Sequence, residues 1–208
     1  MSPQIQDHQW VSITGRLLGA LFYYAPESQA AQSVLPLFQQ ADWMAQWEMS
    51  EYMEDKTRQK ITALINQGIT QDLAADYQAL FIGPNALPAP PWSSVYLDPE
   101  SVIFGNSLLA LRDFLRHNAI AFSSPQDEPE DHFGLMLLLA AYLADHKPTL
   151  LAEFFTNHLF TWANRYLDLL AEQQDYPFYQ GLALLAQTTL AQWQQRYAIV
   201  VPQVKWYR

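Results

Sequence analysis

Apolar residues recur every three or four positions along most of this chain, the spacing that one buried helical face requires. Between Trp10 and Tyr24 they fall at Trp10, Ile13, Leu17, Leu21 and Tyr24, and Pro26 ends the run. Gly15 and Gly19 share that helix and point to a closely crossing neighbour, since a helical glycine otherwise costs ~1 kcal/mol. Glu27 to Gln40 predicts a second, short helix interrupted at Pro36, with an aromatic patch of Trp43, Met44 and Trp47 behind it. Ile61, Leu64 and Ile65 predict a helix over Thr57 to Asn66 that Gly68 closes. Thr70 is then placed to cap a helix running through Leu73, Tyr77, Leu80 and Phe81 to Gly83.

The period fails between Pro84 and Tyr96. Pro84, Pro88, Pro90 and Pro91, with Trp92 and Tyr96 just behind, exclude helix and disfavour sheet. Asp98, Pro99 and Glu100 have the order of cap, first position and first turn. They predict a helix whose apolar face, Val102 to Leu115, reaches about Arg116. Ser123 to Asp127 reads as a polar link. A helix behind Pro129 runs to His146, and Lys147-Pro148 divides it from the aromatic-rich region Leu150 to Ala171. Asp175 and Pro177 open a last helix through Trp193, followed by an apolar and basic tail, Ile199 to Arg208, without a period. No segment alternates with the two-residue period of a strand. The pattern therefore predicts an all-α chain, one globular domain over residues 1–208 with about eight to ten helices. Its proline-rich loop, 83–98, separates an N-terminal from a C-terminal helical part.

Half of the residues are hydrophobic and 14% are aromatic, enough for a large core and too much for a disordered chain. The formal net charge of −10 argues against nucleic acid as a partner, because phosphate binding needs a basic face. Without cysteine there is no disulfide, thiolate metal site or cysteine nucleophile. Met1 to Gln9 lacks the basic region of a secretory signal. The longest apolar run, Phe133 to Ala144, falls short of the ~18 residues of a membrane span. A cytoplasmic location is expected.

Chemistry concentrates in Glu128-Pro129-Glu130-Asp131-His132-Phe133-Gly134, which sets three carboxylates and an imidazole ahead of the apolar segment Leu135 to Ala144. Proline suits a first helical turn, and Glu130 and Asp131 beside its free N–H groups would be favoured by the helix dipole. The residues leave several readings open. The motif could serve only its own helix, with His132 satisfying a nearby carbonyl. It could face the proline loop across a binding site. It could hold a metal for hydrolysis, Glu128 and His132 converging from one helix face, although no third ligand is evident. A non-binding assembly scaffold fits the composition equally. No glycine-rich phosphate loop, Gly-x-Ser-x-Gly elbow or His-x-x-x-His pair is present.

Longer words in the sequence go further. Arg16-Leu17-Leu18-Gly19-Ala20-Leu21-Phe22-Tyr23-Tyr24-Ala25-Pro26-Glu27-Ser28, Leu80-Phe81-Ile82-Gly83-Pro84 and Leu87-Pro88-Ala89-Pro90-Pro91-Trp92 are three of them. Ser94 to Ser101, Phe104-Gly105, Glu128 to Gly134, and His158-Leu159-Phe160 with Trp162 complete the set. Over essentially its whole length the chain resembles the TorD/DmsD family of redox-enzyme maturation chaperones. That resemblance implies an all-helical cytoplasmic chaperone with no catalytic activity and no cofactor. Such a chaperone binds the twin-arginine leader of a molybdenum-cofactor oxidoreductase of the dimethyl sulfoxide reductase type. It delays export until cofactor insertion and folding are complete. Components of the twin-arginine (Tat) translocase and of molybdenum-cofactor biosynthesis are the further partners implied.

In the family, leader binding maps onto Tyr77, Leu80, Phe81, Gly105, Asp131 and His132, with Tyr77 and Asn85 standing where close relatives carry tryptophan. A guanidinium seeks a planar carboxylate. Glu128, Glu130 and Asp131 offer one, with Asp131 expected as the principal partner and His132 orienting it. Leu80, Phe81, Trp92 and Tyr96 are expected to line an apolar groove stiffened by the proline loop. The groove is expected to dominate, because an exposed ion pair contributes only ~0–1 kcal/mol.

Overall fold

The computed structural model describes residues 3–121 and 128–208, so the link read at Ser123 to Asp127 lies outside the described residues. The helices in chain order are α1 (Pro3–Tyr23), α2 (Gln29–Val34), α3 (Trp43–Gln46), α4 (Asp55–Gly68), α5 (Leu73–Tyr77) and α6 (Ser93–Leu97). They continue with α7 (Asn106–His117), α8 (Phe133–His146), α9 (Leu151–Phe154), α10 (Ala163–Ala171) and α11 (Pro177–Arg196). Short 3-10 and π turns extend several of them. Among the described residues the one β-type pairing is a bridge between Trp92 and His132. The fold is all-α as expected. The number of helices exceeds the expected range because α3, α6 and α9 are single turns of 4 or 5 residues, too short for a periodic signal.

Helix α8 organises the rest. Phe133, Leu135, Met136, Leu137, Leu139, Ala140, Leu143 and Ala144 are all buried, so it is apolar around its circumference and must be surrounded. Helix α1 crosses it at glycines. A Cβ on Gly15 would stand 2.8 Å from the Leu137 carbonyl, and one on Gly19 would stand 2.9 Å from the Gly134 carbonyl. The backbones touch because these side chains are missing, the close crossing that Gly15 and Gly19 predicted. Helix α11 packs against α1 and carries α4 and α10 on its other sides. Phe22, Phe133, Trp162 and Tyr166 interlock where α1, α8 and α10 meet. Buried residues from Trp10 to Ile199 form one apolar cluster, so both sides of the proline loop share a core.

Four local expectations are corrected. Asp72, not Thr70, caps α5, its carboxylate accepting the Ala75 N–H at 3.1 Å. Helix does occur behind the prolines: Ser93–Leu97 forms α6, because Pro91 precedes its first turn and removes no bond within it. Helix α7 starts at Asn106 rather than at Pro99, and Asp98 caps it from a distance in sequence. Helix α8 starts at Phe133 with His132 as its cap, so Pro129, Glu130 and Asp131 precede the helix instead of forming its first turn.

Candidate functional site

The proline loop and the acidic motif, singled out separately in the sequence, are in contact. Phe133 N–H donates to the Pro91 carbonyl at 2.7 Å and Ser93 N–H to the Asp131 carbonyl at 3.3 Å. The Trp92 and His132 rings meet edge to face with centroids 5.9 Å apart. On its other side His132 meets Tyr23 at 5.4 Å. The Tyr77 hydroxyl donates to the Tyr23 carbonyl at 2.6 Å, and the Tyr77 ring lies 5.0 Å from Phe81. A continuous line of rings and hydrogen bonds therefore joins Phe81, Tyr77, Tyr23, His132 and Trp92.

The three carboxylates of the motif have different partners. Asp131 is 0% exposed. Its Oδ2 accepts from Ser94 Oγ at 2.7 Å, Ser93 Oγ at 2.8 Å and Ser94 N–H at 2.9 Å. Its Oδ1 has no hydrogen-bond partner among the described residues. Burial raises the Asp131 pKa against the lowering effect of the Ser94 and Ser93 hydrogen bonds. Glu130 Oε2 is gripped by the Arg112 guanidinium, at 2.9 Å from Nε and 2.8 Å from Nη2. Glu128 is half-buried, and its Oε1 accepts the Trp92 indole N–H at 2.6 Å. Burial raises the Glu128 pKa, the indole bond lowers it, and the Asp131 charge raises it. No described cation pairs with Glu128. Asp131, the carboxylate expected to meet a guanidinium, is engaged by Ser93 and Ser94 instead of by a cation. Asp131 ties α6 to the start of α8 from inside, and Glu128 is half-buried with no positive partner among the described residues.

His132 caps α8: its Nδ1 accepts the Gly134 N–H at 3.1 Å, which leaves the proton on Nε2. Burial pushes its pKa down to about 3. Because the folded value lies below the ordinary 6.5, the stability it confers is complete above pH 6.5 and drains away as the pH falls toward 3. The slope is about 1.4 kcal/mol per pH unit. Half-buried His158, lowered to about 4 by burial, acts in the same direction. Asp131 acts oppositely, its raised carboxyl favouring the fold at low pH and losing that effect as the pH rises through its folded pKa. His132→Asn keeps a capping acceptor and cannot titrate. Its unfolding free energy in urea is expected to fall less steeply than the parent's from pH 6.5 to 5; equal slopes would assign the titration elsewhere.

The open apolar groove expected from Leu80, Phe81, Trp92 and Tyr96 is not formed by those four. Leu80 and Tyr96 are 0% exposed and Phe81 is 4% exposed. Tyr96 packs on Trp162 at 5.5 Å, and Phe81 on Tyr179 at 5.2 Å. Helical spacing turned these side chains inward, and of the four only Trp92 retains appreciable exposure. Gly105 also has an internal reason. A Cβ there would stand 2.1 Å from Asp98 Oδ2, and the Asp98 carboxylate holds the Asn106 N–H at 2.8 Å and Ser107 Oγ at 3.1 Å. Sequence reasoning passed over Arg112 and the pair Ser93-Ser94. The signal for the serines was two hydroxyls directly after Pro-Pro-Trp, in a segment lacking other donors. Beside Glu130 a cavity of about 400 Å³ is lined by Leu109, Leu115 and Ile120 with Arg112 and Arg116. Ile82, next to Phe81, is 60% exposed. Among the described residues no three histidine or acidic side chains converge as a metal site would need, and no helix is long and apolar enough to cross a membrane.

Residues 40–168 match the family described as "Nitrate reductase delta subunit". The chain is 56% identical to the "Probable Tat proofreading chaperone DmsD" of Haemophilus influenzae, covering 96% of this chain and 98% of the relative. It is 45% identical to the "Tat proofreading chaperone DmsD" of Salmonella typhimurium, covering 91% and 92%. It is 26% identical to the "Chaperone protein YcdY" of Escherichia coli, covering 88% and 94%. A crystal structure of a candidate redox enzyme maturation protein from Archaeoglobus fulgidus shares the fold at a TM-score of 0.53 and 16% identity, covering 90% and 94%.

Proposed function

We propose, for a chain that belongs to the TorD/DmsD family of redox-enzyme maturation chaperones, that it binds the twin-arginine leader of a molybdenum-cofactor oxidoreductase and delays its export until folding is complete. The observation that carries this reading is Glu128. A carboxylate held in place by an indole, half out of water and without its own cation, is a preformed seat for a guanidinium. One leader arginine pairs with Glu128 and lies against the Trp92 ring, a cation on an aromatic face. His132, neutral with its proton on Nε2, orients Trp92 from below and offers a donor toward the leader backbone. Tyr77 and Phe81 support that floor from inside, and Leu80, Tyr96, Gly105 and Asp131 hold the elements that carry it. The apolar stretch that follows the arginines enters the cavity beside Glu130, where Leu109, Leu115 and Ile120 supply the oily wall.

The client class is the dimethyl sulfoxide reductase type, in the cytoplasm. Translocase and molybdenum-cofactor biosynthesis components meet the chaperone with its client aboard. Residues 1–208 act as one domain, and no bond-making step is assigned to it. Calorimetric titration of the purified chain with a panel of twin-arginine leaders tests the reading. A leader binding at about micromolar Kd, near −8 kcal/mol, is expected. Replacing both arginines by alanine should weaken that binding at least about tenfold. Silence across the panel, or indifference to the arginines, would sink it.

A further inference from the structure

Beyond α11 the chain has no regular secondary structure and comes back to the proline loop. The Trp206 indole N–H donates to the Thr161 carbonyl at 2.8 Å, and Tyr207 N–H to the Tyr96 carbonyl at 2.9 Å. Arg208 Nη2 donates to the Leu87 carbonyl at 2.7 Å and the Pro88 carbonyl at 3.4 Å. The Arg208 carbonyl in turn accepts from Arg165 Nε at 3.0 Å. In three residues the segment thus touches the proline loop, the last turn of α6 and the connection into α10.

These contacts answer a local deficit. Prolines at 84, 88, 90 and 91 remove the N–H donors that a loop would use to satisfy its own carbonyls. A donor must come from elsewhere, and a guanidinium offers two or more in a rigid plane. Residues 202–208 are exposed, so they add little to the apolar core. What the segment supplies is directional hydrogen bonding onto the wall that continues into Trp92. Trp92 in turn holds Glu128, and Pro91 anchors the first N–H of α8.

We propose that Arg208 is a positioning residue for leader recognition: by tying down Leu87 and Pro88 it keeps Trp92, and through it Glu128, in the geometry that receives a guanidinium. The inference rests on the leader-binding reading. It assigns a role to a segment that touches neither Glu128 nor the cavity beside Glu130. Fixing the loop before the leader arrives removes an ordering cost from binding.

The test uses the full chain as parent, Arg208→Ala and Arg208→Lys. Three quantities are read: hydrogen exchange at the Trp92 indole N–H and the Phe133 amide, leader affinity by calorimetry, and the urea midpoint. Both exchange sites report bonds carried by the loop. Arg208→Ala is expected to speed their exchange and to weaken the leader about fivefold, the size of one ordinary hydrogen bond net of solvent. The urea midpoint should stay where it was. Arg208→Lys keeps the charge but not the planar fork and should fall between the two. Unchanged exchange in Arg208→Ala overturns the proposal. So does faster exchange with unchanged or tighter leader binding, the latter marking the segment as a cover over the site. In both cases the parent still binds leader and the functional reading survives. A parent that binds no leader removes both.

Discussion

Gly134→Val is expected to melt roughly 10 °C below the parent chain in a circular-dichroism scan, from a destabilisation of at least ~3 kcal/mol. The first added carbon alone would stand 2.7 Å from Tyr23 Cβ, 2.8 Å from Tyr23 N and 3.0 Å from the Gly19 carbonyl. Two of those atoms are backbone, so no rotamer change relieves the contact. Helices α1 and α8 must part, and every apolar group buried between them loses contact at once. The damage extends to the site, because the Gly134 N–H is the donor that fixes His132 and Tyr23 is the ring on which His132 rests. Leader affinity should fall together with the melting point. A variant that melts like the parent would show that the crossing is looser than the distances require.

Glu128→Gln is expected to weaken the leader about tenfold, ~1.4 kcal/mol, with little change in melting point. Glutamine retains an oxygen to accept the Trp92 indole, so the local geometry survives and the charge alone is removed. Asp131→Asn should behave in the opposite way. It removes the charge that three Ser93 and Ser94 donors hold at Oδ2 and buries an N–H₂ where Oδ1 has no partner among the described residues, so it costs stability first and affinity only as a consequence. Calorimetry and thermal melts on the two variants separate these roles. If Asp131→Asn abolishes binding at full stability while Glu128→Gln binds normally, the guanidinium seat lies at Asp131 and the assignment to Glu128 is wrong. Salt should also weaken the parent's binding more than that of Glu128→Gln, because the variant has one screened attraction fewer.

The outcome for the individual residues follows what sequence patterns record. Helical spacing located α4 and α11, and the ends of α1 and α8, within a few residues, since each buries a long stripe and a long stripe leaves a long signal. It failed at α6 and at the starts of α7 and α8. There the bonds that begin the helix come from far away, from Asp98 to Asn106 and from the Pro91 carbonyl to Phe133 N–H. Tyr77 and Phe81 reach His132 and Trp92 through Tyr23, a link that no spacing in the sequence records. The chemical roles within the group shifted. The charge partner chosen from the sequence is the one carboxylate in the motif with no exposure, and three of the four residues chosen for a groove are sealed in the core.

By itself the sequence determined that this chain is helical, where its long helices run, that α1 and another helix must cross at glycines, and which two stretches hold the unusual chemistry. Those are local properties, written in spacing and in the absence of side chains. Only the tertiary structure decided which carboxylate takes the Trp92 indole, which is consumed by serines and which by Arg112, and that the far end of the chain supplies donors to a loop that lacks them. A residue's type states what it can bond to, but its distance to every other donor and to water exists only once the chain has closed on itself.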